Sequence, residues 1–193
     1  MKKNRIANLI MMLLIAVMVL SGLWAAWSLR TAEEQALGSR YRIAPIPAEG
    51  LGSAEEGGYA CTITILCDTV LDHLDSLDAA KVPYQPKDGV ILPETAVTVS
   101  EGETVFEVLQ RVCSAAEIPL EYSWTPLYDS YYVEGINHLY EFDCGKTSGW
   151  MYQVNGEFPN YGCSAYAVQP GDVIVWCYTC VGLGADVGAS MEE

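Results

Sequence analysis

The sequence predicts one α+β domain that follows a membrane segment. Three observations predict it: a long uncharged stretch near the N-terminus, one capped amphipathic helix, and several short alternating apolar runs separated by turn residues. The chain has 193 residues, of which 51% are hydrophobic. This length can bury the core of one such domain.

The stretch between Arg5 and Arg30 contains 24 residues and no charge. As a helix it would span the roughly 30 Å of a bilayer interior. Because Lys2 and Lys3 precede it, the positive-inside rule places the N-terminus in the cytoplasm and the rest outside. We expect a single-pass cell-membrane protein with an extracellular C-terminal domain. A cleaved signal peptide and secretion are the alternative, because Ala26-Trp27-Ser28 resembles a cleavage site.

The remaining chain divides by composition. Residues 31–58 are rich in Ala, Glu, Gly, Pro and Ser without apolar periodicity, which predicts a flexible linker. Residues 59–188 form the predicted domain, and residues 189–193 a tail. The glycine-rich stretch from Gly182 onward is expected to be loose.

Charge and cysteine content narrow the functional classes. The net charge is −15, and the first 30 residues contain no acid, so the exported part repels phosphate. Nucleic acids and anionic lipids are therefore poor partners. Seven cysteines beyond the membrane segment predict disulfides with one thiol left over. Cys177 and Cys180 have the CxxC spacing of redox and zinc sites, but no second CxxC exists, so a structural role is favoured.

The sequence of the first half of the domain predicts two strands and two helices. Tyr59 to Cys67 alternates as a strand, and Asp68 is positioned to cap a short helix bearing Leu71, Leu74 and Leu77. A short apolar stretch at 90–92 and a strand around 97–99 follow. Ser100 and Glu103 have capping-box spacing before the main helix, which Pro119 ends. The apolar face of this helix comprises Val105, Val108, Leu109, Val112, Cys113 and Ala116.

The second half predicts strands at 120–124, 131–142, 150–154 and 173–178. Asn155-Gly156 is a strong hairpin signal, and Pro170-Gly171 predicts another turn. The last strand is apolar on both faces, as a central strand is. Together these elements predict a β-grasp-like mixed sheet with one main helix packed on it.

An ordered series of motifs resembles the bacterial transcobalamin-like C-terminal domain family. The motifs are Val97–Val99, Gly102–Val105, Tyr132–Ile136, Gly149–Gly156 (GWMYQVNG), Tyr166, Pro170–Ile174 and Trp176–Thr179. The resemblance covers about residues 60–188. It implies a small β-grasp-like surface module related to the domain that, in animal cobalamin carriers, closes over one face of the corrin. Cobalamin or another corrinoid is the implied ligand.

One feature of those carriers is absent. Their separate helical barrel has no counterpart here, and a linker of about 30 residues cannot replace it. The resemblance therefore implies that the chain dimerises, works with a partner such as a membrane transporter, or binds something else.

Catalytic and metal-binding patterns are weak. Neither His73 nor His138 has a neighbouring nucleophile at a recognisable spacing, so we expect no catalytic residues and no enzyme. The aspartates from Asp68 to Asp78 lack the spacing and glycine of a calcium loop, so no metal site is expected. No cofactor is required under this interpretation.

Aromatic residues concentrate between about 124 and 166, where flat rings with polar tips can cover a planar ligand. The candidate ligand-binding residues are Tyr131, Tyr132, Asn137, Trp150, Tyr152, Asn155 and Tyr161. Some of these aromatics must instead be core, and a turn explains Asn155 more simply. The sequence thus predicts a membrane-anchored extracellular ligand-binding module, and the resemblance implies that it binds cobalamin or another corrinoid for uptake. The alternative is a surface module that binds a protein or glycan and no small molecule.

Overall fold

The computed structural model describes residues 58–182 and 184–189. Within these ranges no helix is long and apolar enough to cross a bilayer. The predicted anchor at 1–30 and linker residues 31–57 lie outside the described residues. The described part contains one α-helix, α1 (Val105–Ala115), and seven strands: β1 (Tyr59–Leu66), β2 (Val90–Val99), β3 (Leu120–Thr125), β4 (Ser130–Ile136), β5 (Leu139–Tyr140), β6 (Gly149–Val154) and β7 (Val173–Thr179).

The strands form two sheets, so the domain is α+β as predicted, but it does not have one continuous sheet. The first sheet has the order β2-β1-β7-β6, with β1 and β7 parallel and the outer pairs antiparallel. The second is antiparallel with the order β3-β4-β5. Strand β7 lies inside its sheet, which explains its apolar residues on both faces.

Apolar alternation decides which strand faces enter the core. In β1 the side chains of Cys61, Ile63 and Ile65 are buried, while the intervening threonines are half-buried. Strand β2 continues through Pro93, so the two segments predicted at 90–92 and 97–99 form one strand. Because β2 is an edge strand, a residue without an N–H is tolerated there.

The N-cap of helix α1 lies four residues after the predicted cap. Thr104 is the N-cap: its hydroxyl accepts from the Glu107 N–H at 3.3 Å, and Glu107 Oε2 accepts from the Thr104 N–H at 2.8 Å. The predicted cap, Ser100, instead donates its N–H to the Glu103 carboxylate at 3.0 Å. Two consecutive Ser/Thr-x-x-Glu patterns exist here, and the second starts the helix. The predicted apolar face from Val105 to Cys113 is buried.

The helix predicted after Asp68 is wrong. Residues Asp68–Asp72 form a single 3₁₀ turn without a side-chain cap, and Leu74 is 41% exposed. Aspartates recur here at spacings of three and four, where like charges repel one another in an α-helix. The segment therefore continues as turns, and only Val70 and Leu77 enter the core.

The segment 131–142 is not one strand. Asn137 and His138 adopt φ angles of 52° and 65° and turn the chain between β4 and β5. Two consecutive positive φ angles are typical of a type I′ hairpin turn. Asn155-Gly156 also forms a turn, closed by a bridge between Val154 and Glu157. It does not join two adjacent strands, because β6 pairs with β7 through the long loop 155–172.

Residues 184–189 of the glycine-rich stretch are held in place, contrary to the expectation that this stretch is loose. Residues Ala185–Val187 form a 3₁₀ turn. The carboxylate of Asp186 accepts from the backbone N–H groups of Cys180 and Val181 at 2.8 and 3.2 Å. The hydroxyl of Thr179 donates to the same carboxylate. One carboxylate thus fixes the chain after β7.

The seven cysteines are buried thiols, and none forms a disulfide. The predicted disulfides are thus not observed, because the thiols pack as small apolar side chains. Cys177 and Cys180 also do not pair. The Cys177 sulfur lies 3.8 Å from the Met151 carbonyl oxygen, whereas the Cys180 sulfur lies 3.8 Å from Thr69 Oγ1 and contacts the Cys144 thiol. Residues three apart along extended chain face opposite sides.

Removal of the α1 cap tests the capping box. We expect Thr104→Ala to lower the free energy of unfolding by about 1 kcal/mol, because the Glu107 N–H loses its acceptor. Thr104→Ser keeps a hydroxyl and is the matched control. Chemical denaturation measures both, and an equal loss in the serine variant would show that the hydroxyl is not responsible.

Alkaline pH tests the buried thiols. Burial raises the pKa of the Cys113 thiol to about 12, and burial with Asp68 and Asp88 does the same for Cys67. An unfolded chain releases these protons near the ordinary value of about 8.5. The folded state therefore holds more protons, so stability is full below about pH 8.5 and falls as the pH rises towards about 12. Denaturation at several pH values measures this, and Cys113→Ala should make the fall less steep.

Candidate functional site

A shallow cleft of about 240 Å³ lies between the β3–β4 hairpin and the loop 155–172. We call it the first cleft. Four tyrosines line it, together with small and polar residues. The lining residues are Thr125, Tyr128, Ser130, Tyr131, Tyr132, Pro159, Asn160, Tyr161 and Gly162.

Neighbouring rings hold the Tyr131 ring in place. It stacks on Phe106 of α1 with ring centroids 4.3 Å apart. Tyr122 and Trp124 of β3 contact it edge to face, at 5.2 and 5.1 Å. Offset and edge-to-face pairs are the preferred arrangements of aromatic rings. Tyr131 is therefore fixed before any ligand arrives.

Tyr132 is fixed by a hydrogen bond. Its hydroxyl donates to Glu141 Oε2 at 2.6 Å. Burial, this hydrogen bond and the nearby charges of Glu141 and Glu134 raise the pKa of Tyr132 well above its usual range. The phenol therefore stays neutral and presents its ring beside two carboxylates.

The opposite wall is tied to the hairpin. The Tyr131 N–H donates to Ser164 Oγ at 3.0 Å, and the Ser164 N–H donates to Ser130 Oγ at 3.3 Å. Gly162 packs so closely on Ser130 that a Cβ at Gly162 would lie 2.1 Å from the serine oxygen. On the same wall Tyr161 stacks on Tyr166 at 6.0 Å.

A second cleft, also about 240 Å³, lies on the other side of Tyr132. It includes one cationic side chain, Lys146. The lining residues are Tyr132, Phe142, Lys146, Thr147, Ser148, Gly149, Trp150, Met151 and Thr179. Tyr132 lines both clefts, so the two clefts are adjacent, and we call the residues that line them together the Tyr132 face.

Four of the seven predicted site residues line this face, and a fifth supports it. Tyr131, Tyr132 and Tyr161 line the first cleft, and Trp150 lines the second. Trp150 is mostly core, however: it is 8% exposed, and its Nε1 donates to the Leu139 carbonyl at 2.9 Å. Tyr152 lies behind the first cleft, where its hydroxyl donates to the Tyr161 carbonyl at 2.8 Å.

The two asparagines line neither cleft. Asn137 is buried in the β4–β5 turn, and its side chain donates to the Tyr84 carbonyl at 3.2 Å. Asn155 lies in the turn after β6, where its side chain donates to Asp172 and accepts from the Val173 N–H. Both asparagines hold turns with positive φ angles.

Sequence reasoning left Tyr128, Phe142 and Lys146 out of the site. Tyr128 and Phe142 are 71% and 61% exposed. They lie in turns next to strands, where strand alternation assigns no facing direction. The one available signal was the presence of large aromatic residues in turns, where no core needs them.

The histidines and acidic residues form no further site. His138 packs against Tyr84 at 4.8 Å between ring centroids, and the His73 carbonyl accepts from the Cys144 thiol. Among residues 58–182 and 184–189, no group of three or more His, Cys, Asp or Glu side chains is arranged to hold a metal ion.

The contact between Gly162 and Ser130 provides a test of cleft assembly. We expect Gly162→Ala to lower the free energy of unfolding by about 1–3 kcal/mol and to displace the loop, because its Cβ would overlap Ser130. Gly149→Ala is the control, because a Cβ there meets Glu141 at an ordinary 3.8 Å. Chemical denaturation measures the stabilities, and Tyr131 and Tyr161 resonances report the cleft. Equal stability of both variants would contradict the close approach.

The chain is similar to a protein family and to solved structures. Residues 102–180 match the family described as a domain of unknown function, DUF4430, over less than half of the chain. No curated protein matches the chain. The crystal structure of haptocorrin in complex with Cbi is similar at 13% identity and a TM-score of 0.47, over 66% of this chain and 26% of that chain. A candidate metal-binding protein from Ruminococcus gnavus is similar at 13% identity and a TM-score of 0.38, over 63% and 96%. The chain thus spans about a quarter of haptocorrin, and membership of the bacterial transcobalamin-like family stays a prediction.

Proposed function

We propose that the domain is an extracellular ligand-binding module, without enzymatic activity, whose ligand lies across the Tyr132 face. The observation that carries the proposal is the meeting of two aromatic clefts at one side chain, Tyr132. Tyrosine and phenylalanine rings supply flat apolar area there. Hydroxyl and amide groups at the rim supply hydrogen bonds.

The size of the clefts limits how the ligand is held. Each measures about 240 Å³, whereas pockets that enclose a drug-sized ligand measure roughly 300–1,000 Å³. The face is therefore suited to covering one side of a broad, flat molecule. The other side of the ligand stays open to solvent or to a partner.

A corrinoid is the ligand class that we propose, following the sequence resemblance. A corrin is a broad ring with amide side chains, and the rim of the face offers the exposed Asn160 and Thr147 to such amides. The strand order β2-β1-β7-β6 with a parallel β1–β7 pair supports a β-grasp-like description. We further propose that residues 1–30 anchor the domain to the cell membrane, where it passes the ligand to a transporter.

Binding of a protein or glycan is the second candidate function. Leu127 is 82% exposed and Trp124 is 48% exposed at the tip and edge of the β3–β4 hairpin, outside both clefts. Exposed apolar side chains that cluster with aromatic neighbours are typical of interaction surfaces.

Corrinoid titration tests the first proposal. The full chain, purified in detergent, is titrated with cobalamin and with cobinamide while the corrin absorption spectrum and the heat of binding are followed. We expect saturable one-to-one binding. Tyr132→Ala should weaken it roughly two- to tenfold, since aromatic contacts contribute about 0.5–1.5 kcal/mol beyond burial.

Leu74→Ala is the control, because Leu74 is exposed and lines neither cleft. Its affinity should match that of the unmodified chain. Absence of binding by a folded chain would overturn the corrinoid proposal and favour the interaction surface. Trp150 is unsuited to this test, because its burial links its loss to unfolding.

A further inference from the structure

The first cleft has an unusual chemical composition for so small a site. Four tyrosines, Tyr128, Tyr131, Tyr132 and Tyr161, line about 240 Å³, and neither lysine nor arginine does. Tyr131 and Tyr132 are consecutive in β4, so their rings lie on opposite faces of the sheet, and the Tyr131 ring already packs on Phe106 and Trp124. The rings open to a ligand are therefore those of Tyr128, Tyr132 and Tyr161. The face of an aromatic ring carries partial negative charge, which attracts cations placed over it. Several rings around one small cleft form the arrangement that binds quaternary ammonium groups.

Two of these three rings are fixed by their neighbours. Tyr132 is hydrogen-bonded to Glu141, and Tyr161 stacks on Tyr166. The third ring, that of Tyr128, is 71% exposed. A preformed cage costs little ordering on binding, which favours even a small ligand.

The charges around the cleft also favour a cation. Glu141 accepts the Tyr132 hydroxyl, and Glu134 acts on the same phenol. Asp129 lies in the hairpin between two lining residues, and residues 120–141 contain no lysine or arginine. Lys146 lines only the second cleft. The field at the first cleft is therefore negative.

The size and polarity of the cleft select the type of cation. At about 240 Å³ it takes a compact group, since larger ligands need roughly 300 Å³ or more. A primary ammonium is strongly hydrated and would lose water on entering between rings. An alkylated ammonium carries its charge on apolar methyl groups, so it gains both ring contact and burial.

We propose that the first cleft is an aromatic cage for an alkylated ammonium group, the chemistry shared by choline and the head groups of choline lipids. The inference uses the first cleft alone and does not depend on corrinoid binding. Cobinamide titration of the same preparation separates the two proposals.

The decisive comparison is between choline and 3,3-dimethyl-1-butanol, which has the same shape without the charge. Each is titrated into the full chain in detergent, followed by heat of binding and tyrosine resonances. We expect choline to bind saturably and the neutral compound to bind at least about fivefold more weakly, since each ring contributes roughly two- to fivefold. Equal binding of both, or no binding of choline, would overturn the proposal.

Substitutions of Tyr128 locate the site without risk to the fold, because the side chain is exposed. Tyr128→Phe keeps the ring and should retain choline affinity, whereas Tyr128→Leu should lower it about two- to fivefold. Phe142→Leu, in the second cleft, is the matched control and should leave it unchanged. If Phe142→Leu lowered the affinity for choline and Tyr128→Leu did not, the assignment of the site to the first cleft would be wrong.

Glycerophosphocholine distinguishes the two sources of the ligand. This soluble compound carries the lipid head group with its phosphate. Binding as tight as that of choline would identify a lipid head group as the source. Weaker binding, as repulsion between the phosphate and Glu134 and Glu141 predicts, would identify a free alkylammonium solute.

Discussion

The parallel pairing of β1 with β7 is the constraint on which the rest of the structure depends. These are the first and last strands of the domain along the chain. Their pairing therefore closes a loop that contains all residues between 66 and 173. Asp172 helps to fix the junction: its carbonyl accepts from Thr62, and its carboxylate accepts from Gln169 and Asn155. The β3–β4–β5 sheet, helix α1 and the long loop must therefore pack within one crossover.

This crossover also brings the cleft walls together. The loop 155–172 meets the first turn of α1, where the Val105 and Phe106 N–H groups donate to the Tyr166 and Cys163 carbonyls. These are two of the donors that an α-helix leaves without an intrahelical partner at its N-terminus. The loop is held there by the helix and at Ser130 by the hairpin. Tyr161, on the loop, is brought to the hairpin tyrosines of the first cleft by these two attachments.

Most strands and the main helix could be predicted from the sequence, because their apolar periodicity matches what the core buries. Strand β1 and the face of α1 are examples. The prediction failed where local charge or turn chemistry opposed the periodicity. The segment 68–78 has leucines at helical spacing but aspartates at the same spacing, and Asn137-His138 forms a turn without glycine.

The candidate site could be predicted only in part. The aromatic density around Tyr131 and Tyr132 is visible in the sequence, but the meeting of Tyr161 with them depends on the path of the loop. That path rests on Gly162 fitting against Ser130, a contact between residues 32 positions apart. Strand alternation carries no information about such a contact. Trp150 illustrates the opposite case, since an aromatic residue in a strand is equally suited to the core.

The long separation between the cleft walls has a consequence for folding. Ser130 and Ser164 can meet only after the loop has been placed, and the loop is placed only when β7 joins β1. Contacts between distant parts of a chain form slowly, because loop closure comes before any gain from pairing. The cleft is therefore among the last parts of the domain to form during folding. A molecule that occupies it binds the finished domain alone, and so protects the completed fold by mass action.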